Sequence, residues 1–207
     1  MSQLPTTTID LLRHGQCEGG HIYRGTTDVL LTEEGWQQME QRCALVLPHW
    51  DAVVSSPMQR CIRFAKHMAD THQLPLTPQE SLRELCFGDW EGQLVDEVWQ
   101  QQRQQVEAWG RDPVKYPPPN GEAADSFSLR VIDGWYSTLE QYQGQHILLV
   151  SHGGVMRALL AYILSMPVTS MHCFDIPYAC LSRVIVTHTP QSNYYRLVHH
   201  NITHQHI

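Results

Sequence analysis

The chain has 207 residues, of which 42% are hydrophobic and 17% are charged, and its net charge is −7 with histidine counted as neutral. This length and composition predict a single domain, residues 1–207, with a hydrophobic core, and they exclude a disordered chain. The acidic balance also argues against non-specific nucleic-acid binding, which needs clustered basic side chains.

The sequence gives no sign of a membrane span, a secretion signal or a metal site. Its apolar runs stay below the roughly 18 residues of a transmembrane helix, and residues 1–8 lack the basic and apolar parts of a signal peptide. The six cysteines include no CxxC pair. The C-terminal histidines have no carboxylate or cysteine beside them at metal-ligand spacing: His199, His200, His204 and His206. We therefore expect reduced thiols, a cytoplasmic location, no metal and no cofactor.

In the first half of the chain, strand-like and helix-like segments alternate. In chain order they are a strand at 8–12, a helix at 31–47, a strand at 51–55, a helix at 57–70 and a helix at 94–109. Thr32 is positioned to cap the first helix, and Ser56 followed by Pro57 predicts the start of the second helix.

The second half continues this alternation after a break at 117–121, Pro-Pro-Pro-Asn-Gly. It contains a helix at 123–143, a strand at 146–151, a helix at 155–164, and strands at 181–187 and 194–198. Alternating strands and helices predict an α/β fold, with a mostly parallel sheet flanked by helices on both faces. Residues 94–122 are interpreted as a helical lid. In such folds, ligands bind at the carboxyl ends of the strands.

Three predicted strand ends carry side chains that suit phosphate binding. They supply five candidate phosphate-binding residues: Arg13, His14, Arg60, His152 and Gly153. In a parallel sheet these ends lie at one edge, where the arginines and histidines would surround a single phosphate. Gly153 lets the backbone approach a ligand closely, and the helix that follows His152 offers free N–H groups to an anion.

His14 is the candidate nucleophile, because a neutral imidazole can attack phosphorus. The two arginines nearby would disfavour the imidazolium and keep His14 neutral. A carbonyl or carboxylate on the other ring nitrogen would fix the tautomer, and the sequence does not identify that group. Glu84 is the candidate acid toward the leaving oxygen and base toward water, with Asp89 and Glu91 as rivals.

Four segments resemble, in order, the signatures of the histidine phosphatase (phosphoglycerate mutase-like) superfamily: residues 12–15, 55–60, 82–92 and 151–154. The resemblance spans about residues 8–160. It implies a phosphoglycerate mutase-like fold and a phosphomonoester hydrolase that uses no metal. It also implies a phosphohistidine at His14, with the two arginines and the catalytic His152 holding the phosphate and Glu84 donating the proton.

Within this superfamily, residues 23–25, 30–35, 87–91 and 120–131 are most similar to segments of the alpha-ribazole phosphatases, which act in cobalamin nucleotide-loop assembly. This resemblance implies a small phosphomonoester, alpha-ribazole 5′-phosphate, as the substrate, and neither nucleic acid nor membrane as a partner. The alternatives are a broad-specificity or sugar-phosphate phosphatase, a phosphoglycerate mutase, and a phospho-ligand binding protein without catalysis. The oligomeric state has no signal in the sequence.

The loop after the first motif departs from the superfamily pattern, in which an acidic residue or Gln, then Thr or Ser, then Asn follow. Here the residues are Gln16, Cys17 and, at the Asn position, Gly20, and the loop is shorter. We expect Arg24 to replace the missing phosphate contact, with Gln16 as a further substrate contact and Cys17 as a small filler. Trp109, in the lid, is the candidate for stacking on a substrate base.

Overall fold

A six-stranded sheet forms the centre of the computed structural model, which describes residues 4–46 and 49–203. The strands are β1 (Thr6–Arg13), β2 (Ala52–Ser55), β3 (Leu76–Pro78), β4 (His146–Ser151), β5 (Leu181–His188) and β6 (Asn193–His199). They lie in the order β3-β2-β4-β1-β5-β6. The pairs β3–β2, β2–β4 and β4–β1 are parallel, whereas β5 is antiparallel to both β1 and β6. The predicted α/β fold with a mostly parallel sheet is confirmed.

Helices cover both faces of this sheet. They are α1 (Glu33–Ala44), α2 (Gln59–His72), α3 (Val95–Gln101), α4 (Arg103–Arg111), α5 (Ala124–Gln141) and α6 (Gly153–Ile163). Along β4, Ile147 and Leu149 belong to the hydrophobic core that includes α5 and α6. Leu148 and Val150 belong to the core that includes α1 and α2. The alternation follows from the two-residue repeat of a strand, and it explains why β4 is apolar from Ile147 to Val150.

The predicted N-terminal cap of α1 is found. The Thr32 hydroxyl accepts a hydrogen bond from the Gly35 N–H at 3.0 Å. Glutamates occupy the first turn, where the helix dipole favours negative charge. The helix ends at Ala44, before the predicted end, and residue 47 lies outside the described residues.

The start of α2 corrects the sequence prediction. The helix begins at Gln59 and not at Pro57, and the Ser56 hydroxyl lies 2.7 Å from Nε2 of His152. Asp28, which comes from a distant loop, accepts the Gln59 N–H at 2.7 Å and takes over the role of the cap. A contact between distant segments therefore displaces a local helix-start signal.

The segment predicted as one helix at 94–109 is two helices. They are separated at Gln102, whose φ of −130° and ψ of 33° lie outside the helical region. The Gln102 side-chain oxygen accepts the indole N–H of the fully buried Trp90 at 2.8 Å. Both helices pack with Trp90 and Tyr23 in a hydrophobic cluster separate from the two main cores. The interpretation of 94–122 as a lid stays a prediction.

The remaining predicted elements are found with small shifts, whereas β3 and the short 3₁₀ turns are not predicted from the sequence. α6 begins at Gly153 instead of residue 155, so the N–H groups of its first turn, which have no partner inside the helix, lie directly at the end of β4. The short strand β3 includes a proline, which weakens the strand signal in the sequence. No helix within the described ranges is long and apolar enough to cross a membrane. Of the C-terminal histidines, His204 and His206 lie outside the described residues.

Candidate active site

Three strand ends meet at one edge of the sheet. β2, β4 and β1 are parallel neighbours, so their carboxyl ends lie side by side. The ring centroids of His14 and His152 are 5.4 Å apart in an edge-to-face arrangement. Arg60, in the first turn of α2, donates from Nε to Nδ1 of His152 at 3.2 Å. The structure therefore brings residues 14, 60 and 152 together.

A cavity of about 320 Å³ opens at this edge. Its lining includes Arg13, His14, Arg24, Arg60, Glu84, Gly153, Arg157, His172 and Tyr178, together with Tyr23, Phe87 and Trp109. Guanidinium groups outnumber carboxylates in this lining, which suits a dianionic phosphate ester. A cleft of about 400 Å³ beside Trp36 and Arg63 contains none of the described strand-end residues, so we assign the candidate site to the first cavity.

His14 is held in its neutral form. Its Nδ1 lies 2.8 Å from the carbonyl oxygen of Gly15, which can only accept a hydrogen bond. Nδ1 therefore carries the proton, and Nε2 keeps the lone pair that a nucleophile needs. Burial lowers the pKa of His14 well below its ordinary value, and the charges of Arg60 and Arg13 lower it further. The Gly15 carbonyl is the tautomer-fixing group that the sequence leaves unidentified.

His152 has protein partners on both ring nitrogens. It is fully buried and does not belong to the cavity lining among the described residues. Its Nδ1 accepts from Arg60, so Nε2 carries the proton and donates to the Ser56 hydroxyl at 2.7 Å. Burial, followed by the charge of Arg60, lowers the pKa of His152 well below its ordinary value. Direct contact between His152 and a phosphate stays a prediction.

Arg13 and Arg157 are anchored on one loop, residues 174–176. Arg13 donates from Nη1, and Arg157 from Nε, to carbonyl groups of this loop. A Cβ on Gly153 would lie 3.3 Å from a nitrogen of each guanidinium group, so glycine keeps the space between the two cations open. Within residues 4–46 and 49–203, the Nη groups of Arg157 have no hydrogen-bond partner, which leaves them available to a ligand in the cavity.

Arg60 and Arg24 are joined through the loop at residues 24–27. Arg60 is fully buried and donates to the carbonyl groups of residues 24, 25 and 27 at 2.8 to 2.9 Å. The Arg24 side chain donates to the carbonyls of Glu18 and Gly20 and lines the cavity. The Arg24 guanidinium therefore contacts the backbone of Gly20, the residue that occupies the Asn position of the superfamily pattern. Phosphate contacts by these two arginines stay predictions.

Glu84 lines the same cavity at the start of α6. Its carboxylate accepts the N–H of Gly154 on one oxygen and the N–H of Leu85 on the other, both at 3.0 Å. A Cβ on Gly154 would lie 2.3 Å from a carboxylate oxygen, so this approach requires glycine. Each oxygen retains a lone pair that can bind the proton of a leaving group or of water.

The rival acids are engaged elsewhere and do not belong to the described cavity lining. Asp89 pairs with the side-chain amide of Asn120 at 3.0 and 3.1 Å. Glu91 accepts hydrogen bonds from the backbone N–H groups of residues 26, 27 and 87 and from the Thr27 hydroxyl. Of the three carboxylates, Glu84 alone faces the cavity.

The segment that carries Glu84 is held by Arg130, on α5. Arg130 donates to the carbonyl groups of residues 81, 83 and 84 at 2.8 to 3.0 Å. Its Nε also pairs with Glu122 at 2.7 Å. Both residues belong to the segment 120–131 that resembles alpha-ribazole phosphatases, but the sequence does not indicate a role for either.

Aromatic side chains form one wall of the cavity. Tyr23, Phe87, Trp109 and His172 belong to this wall. The Trp109 ring makes edge-to-face contacts with Phe87 at 5.8 Å and with His172 at 4.9 Å between centroids. Its indole N–H is buried without a hydrogen-bond partner among the described residues. Trp109 is thus at the cavity, and its stacking on a substrate base stays a prediction.

The structure does not bring Gln16 into the cavity lining among the described residues. Its carbonyl accepts the Thr32 N–H at 3.0 Å, and its own N–H donates to Gln38 at 3.1 Å, so its backbone joins the first motif to α1. Cys17 is buried with Sγ 3.4 Å from Nδ1 of His14. Burial raises the pKa of the Cys17 thiol, which agrees with the interpretation of Cys17 as an inert filler.

Several residues of the cavity lining are not predicted from the sequence, among them Arg157, His172 and Tyr178. Arg157 follows Gly153 by four residues, about one helical turn, so its spacing from the strand end could have indicated it. His172 lies in a short 3₁₀ helix after α6 and Tyr178 in the loop that follows it, where no repeat of apolar residues predicts the path. Burial, followed by the charge of Arg157, lowers the pKa of His172.

Within the described ranges, no group of three or more His, Cys, Asp and Glu side chains is arranged to hold a metal ion. His200, from the C-terminal histidine group, bonds instead to the Ser182 hydroxyl at 2.9 Å and to the Asp175 carbonyl at 3.0 Å. All six cysteines are free thiols.

The sequence decides the family. Residues 9–203 match the histidine phosphatase superfamily (branch 1). The chain belongs to this superfamily. The histidine phosphatase is 32% identical over 178 residues to the adenosylcobalamin/alpha-ribazole phosphatase of Escherichia coli strain K12, and the match covers 84% of this chain and 87% of the relative.

Two further similarities place the histidine phosphatase among enzymes of phosphate esters. It is 30% identical over 161 residues to the 2,3-bisphosphoglycerate-dependent phosphoglycerate mutase of Cytophaga hutchinsonii, covering 74% of this chain and 75% of the relative. The crystal structure of the alpha-ribazole phosphatase from Shigella flexneri matches with a TM-score of 0.80 and 29% identity, covering 97% of this chain and 98% of that chain. The predicted superfamily, its fold and a phosphatase activity are confirmed.

Proposed function

We propose that this histidine phosphatase hydrolyses a small phosphomonoester in two steps, through a phosphohistidine at His14. The observation that carries the proposal is the hydrogen bond from Nδ1 of His14 to the Gly15 carbonyl at 2.8 Å. This bond selects the tautomer with a lone pair on Nε2, beside a cavity rich in guanidinium groups.

In the first step, Nε2 of His14 attacks the phosphorus atom and the bond from phosphorus to the ester oxygen breaks. Glu84 enters this step protonated and donates its proton to the leaving oxygen. Arg13 and Arg60, with the positive end of the α6 helix dipole, stabilise the negative charge on the equatorial oxygens. His152 supports the site through its hydrogen bond with Arg60.

In the second step, water attacks the phosphohistidine, and Glu84 accepts a proton from that water. The bond from phosphorus to nitrogen breaks, and its electron pair returns to Nε2 of His14. Inorganic phosphate leaves, and Glu84 is again protonated for the next substrate. Glu84 can serve both steps because its side chain lines the cavity in which both steps take place.

The proposed substrate is alpha-ribazole 5′-phosphate. The names of the relatives from Escherichia coli and Shigella flexneri support it. The aromatic wall of Tyr23, Phe87 and Trp109 offers apolar surface to a leaving group that carries a ring system. A cavity of about 320 Å³ is also of the size that binds small organic ligands.

The proposed reaction requires no metal ion, because guanidinium groups and helix N–H groups can supply the positive charge. We propose a cytoplasmic location, which free thiols fit. The net charge of −7 disfavours nucleic acid as a partner.

A steady-state assay with p-nitrophenyl phosphate, with and without EDTA, tests the reaction. We expect activity that survives EDTA and disappears in His14→Ala, and a phosphohistidine that rapid quenching traps in the wild type. Glu84→Gln should lower kcat by about 10²- to 10⁴-fold. The matched control is Glu80→Gln, whose side chain is 78% exposed and outside the cavity. Wild-type turnover by His14→Ala would contradict the mechanism.

A substrate panel separates the candidate functions. It contains alpha-ribazole 5′-phosphate, sugar phosphates and 3-phosphoglycerate, and kcat/KM is measured for each. A clear preference for alpha-ribazole 5′-phosphate supports the proposed substrate, whereas equal values across the panel indicate a broad-specificity phosphatase. Phosphate binding without turnover of any ester would identify a binding protein and overturn the proposed function.

A further inference from the structure

The loop at residues 24–27 is hydrogen-bonded from two sides. Three of its carbonyl groups accept from the Arg60 guanidinium at 2.8 to 2.9 Å. Two of its N–H groups, at residues 26 and 27, donate to the Glu91 carboxylate at 2.7 and 3.0 Å. The loop carbonyl groups are thus bound by a cation, Arg60, and the loop N–H groups by an anion, Glu91. Each set of hydrogen bonds polarises the peptide groups of the loop and so strengthens the other set.

Glu91 also ties this loop to the segment that follows the candidate acid. Its carboxylate accepts the Phe87 N–H at 2.9 Å and the Thr27 hydroxyl at 2.7 Å. The fit is close, because a Cβ on Gly25 would lie 2.0 Å from the Leu85 carbonyl and 2.3 Å from a Glu91 oxygen. Burial raises the pKa of Glu91, but these hydrogen bonds outweigh burial, and the resulting pKa lies below its ordinary value.

The same loop determines how two cavity arginines are oriented. Arg60 is fully buried, and besides its bonds to the loop it donates to His152, so the loop carbonyls fix the plane of its guanidinium group. Arg24 belongs to the loop itself, and its side chain lines the cavity. A shift of the loop would therefore move both guanidinium groups relative to a bound phosphate.

We propose that Glu91 is a positioning residue, which holds the loop at residues 24–27 so that Arg60 and Arg24 are oriented toward the phosphate of the substrate. Glu91 acts through the loop, because its carboxylate does not belong to the described cavity lining. The kinetic part of this inference rests on the proposed phosphatase reaction, whereas its binding part requires only that the cavity bind phosphate.

The variant Glu91→Gln tests the inference, since it keeps the shape of the side chain. It replaces one accepting oxygen with an amide that cannot accept hydrogen bonds from the loop. We expect the affinity for inorganic phosphate, measured by isothermal titration calorimetry, to fall about tenfold. KM for p-nitrophenyl phosphate should rise by a similar factor, with a smaller change in kcat, because the arginines bind the phosphate group in substrate and transition state alike.

Glu40→Gln is the matched control. Glu40 lies on α1, where its carboxylate accepts the Trp36 indole N–H at 2.9 Å, and it does not line the cavity in the described part of the chain. Circular dichroism and thermal unfolding establish the folded fraction of each variant. We expect Glu40→Gln to bind phosphate as the wild type does.

Thr27→Val provides a second, milder test if Glu91→Gln does not fold. It removes one hydrogen bond to Glu91, and we expect a loss of phosphate affinity of about two- to threefold. If folded Glu91→Gln binds phosphate as tightly as the wild type, the positioning role of Glu91 is overturned. If Glu91→Gln does not fold, wild-type phosphate affinity in Thr27→Val overturns it instead. A wild type that binds phosphate but hydrolyses no ester would overturn the proposed function, and the comparison of phosphate affinities would still decide the role of Glu91.

Discussion

His14 and His152 share one environment but differ in how their ring nitrogens are used. Both are buried beside guanidinium groups, and for both, burial followed by the charge of Arg60 lowers the pKa. His152 has a protein partner on each nitrogen, whereas His14 gives only its Nδ1 proton to a carbonyl. Within the described residues, Nε2 of His14 is thus the ring nitrogen left to react.

A prediction about protonation follows from the surroundings of His14. Because its pKa is lowered well below the ordinary value of 6.5, the imidazole should stay neutral as the pH falls through 6.5 and accept a proton only at lower pH. Nuclear magnetic resonance of ¹⁵N-labelled histidine, assigned with His14→Ala, measures this titration. Arg13→Gln should move the midpoint upward, and a wild-type midpoint at or above 6.5 would contradict the prediction.

The open Nη groups of Arg157 lead to a second prediction for a single residue. Arg157→Gln removes a guanidinium group from the cavity, so we expect KM for phosphomonoesters to rise about tenfold. Arg157→Lys should bring KM only part of the way back to the wild-type value, since lysine keeps the charge but cannot donate hydrogen bonds in the planar geometry of a guanidinium group. Steady-state kinetics check both variants. The control is Arg63→Gln, on the exposed face of α2. An equal rise of KM in this control would count against a specific role for Arg157.

At the scale of elements, regular strands and helices position the phosphate-binding candidates, whereas an irregular segment carries the candidate acid. His14 and His152 follow β1 and β4 directly, and the parallel pairing of these strands sets their proximity. Glu84 lies between two short 3₁₀ turns, at residues 80–82 and 88–90. This irregular segment has no strand partner of its own, and the guanidinium of Arg130 holds its carbonyl groups instead.

Removal of Arg130 should therefore affect both catalysis and stability. Arg130→Gln leaves three carbonyl groups of the Glu84 segment without their donors. We expect kcat to fall by at least tenfold, because the acid is displaced, and the free energy of unfolding to fall by about 2 kcal/mol. Kinetics and urea denaturation measure these effects. The control is Arg103→Gln, which breaks the ion pair with Glu107, whose side chains are 68% and 43% exposed, and should change neither kcat nor stability. Unchanged kcat in Arg130→Gln would show that Glu84 does not need support from Arg130.

At the scale of the whole molecule, a buried polar group links the central strands. Asp10, on β1, is fully buried. It accepts hydrogen bonds from Trp50 at 2.8 Å, from His146 on β4 at 2.9 Å and from Arg183 on β5 at 2.7 and 2.9 Å. Both sheet neighbours of β1 are therefore joined to it by side chains as well as by the backbone. Burial raises the pKa of Asp10, but the hydrogen bonds from Arg183 and His146 outweigh burial, so its pKa is lowered.

The lowered pKa of Asp10 determines how stability should change with pH. A carboxylate with a lowered folded pKa contributes its full stabilisation above its unfolded pKa, near 3.8, and loses it as the pH falls through the folded value. Asp10→Asn should lower the free energy of unfolding by about 3 kcal/mol at pH 7, and this deficit should shrink below about pH 4. Urea denaturation at several pH values measures it. The control is Asp70→Asn, which removes an exposed ion pair with Lys66. A stability deficit of Asp10→Asn that does not change with pH would contradict a lowered pKa of Asp10.

The fold class, the family and the segments that carry the candidate site can be predicted from the sequence alone. Strand and helix repeats are local properties of the chain, and the rule that ligands bind at the carboxyl ends of parallel strands turns that local information into the position of a site. For this reason Arg13, His14, Arg60 and His152 could be identified together from sequence. Trp109 and Arg24 could also be assigned to the cavity.

The pairing of the buried polar groups, by contrast, is visible only in the folded molecule. The Gly15 carbonyl on His14, the Ser56 hydroxyl on His152 and the Gln102 oxygen on Trp90 are choices among many donors and acceptors. The contact of Ser56 with His152 joins residues 96 positions apart and accompanies the later start of α2. The contact of Gln102 with Trp90 spans 12 positions and accompanies the division of the predicted helix at 94–109. A buried polar group must find a partner wherever the packing provides one, so its partner depends on the three-dimensional arrangement and not on neighbouring residues.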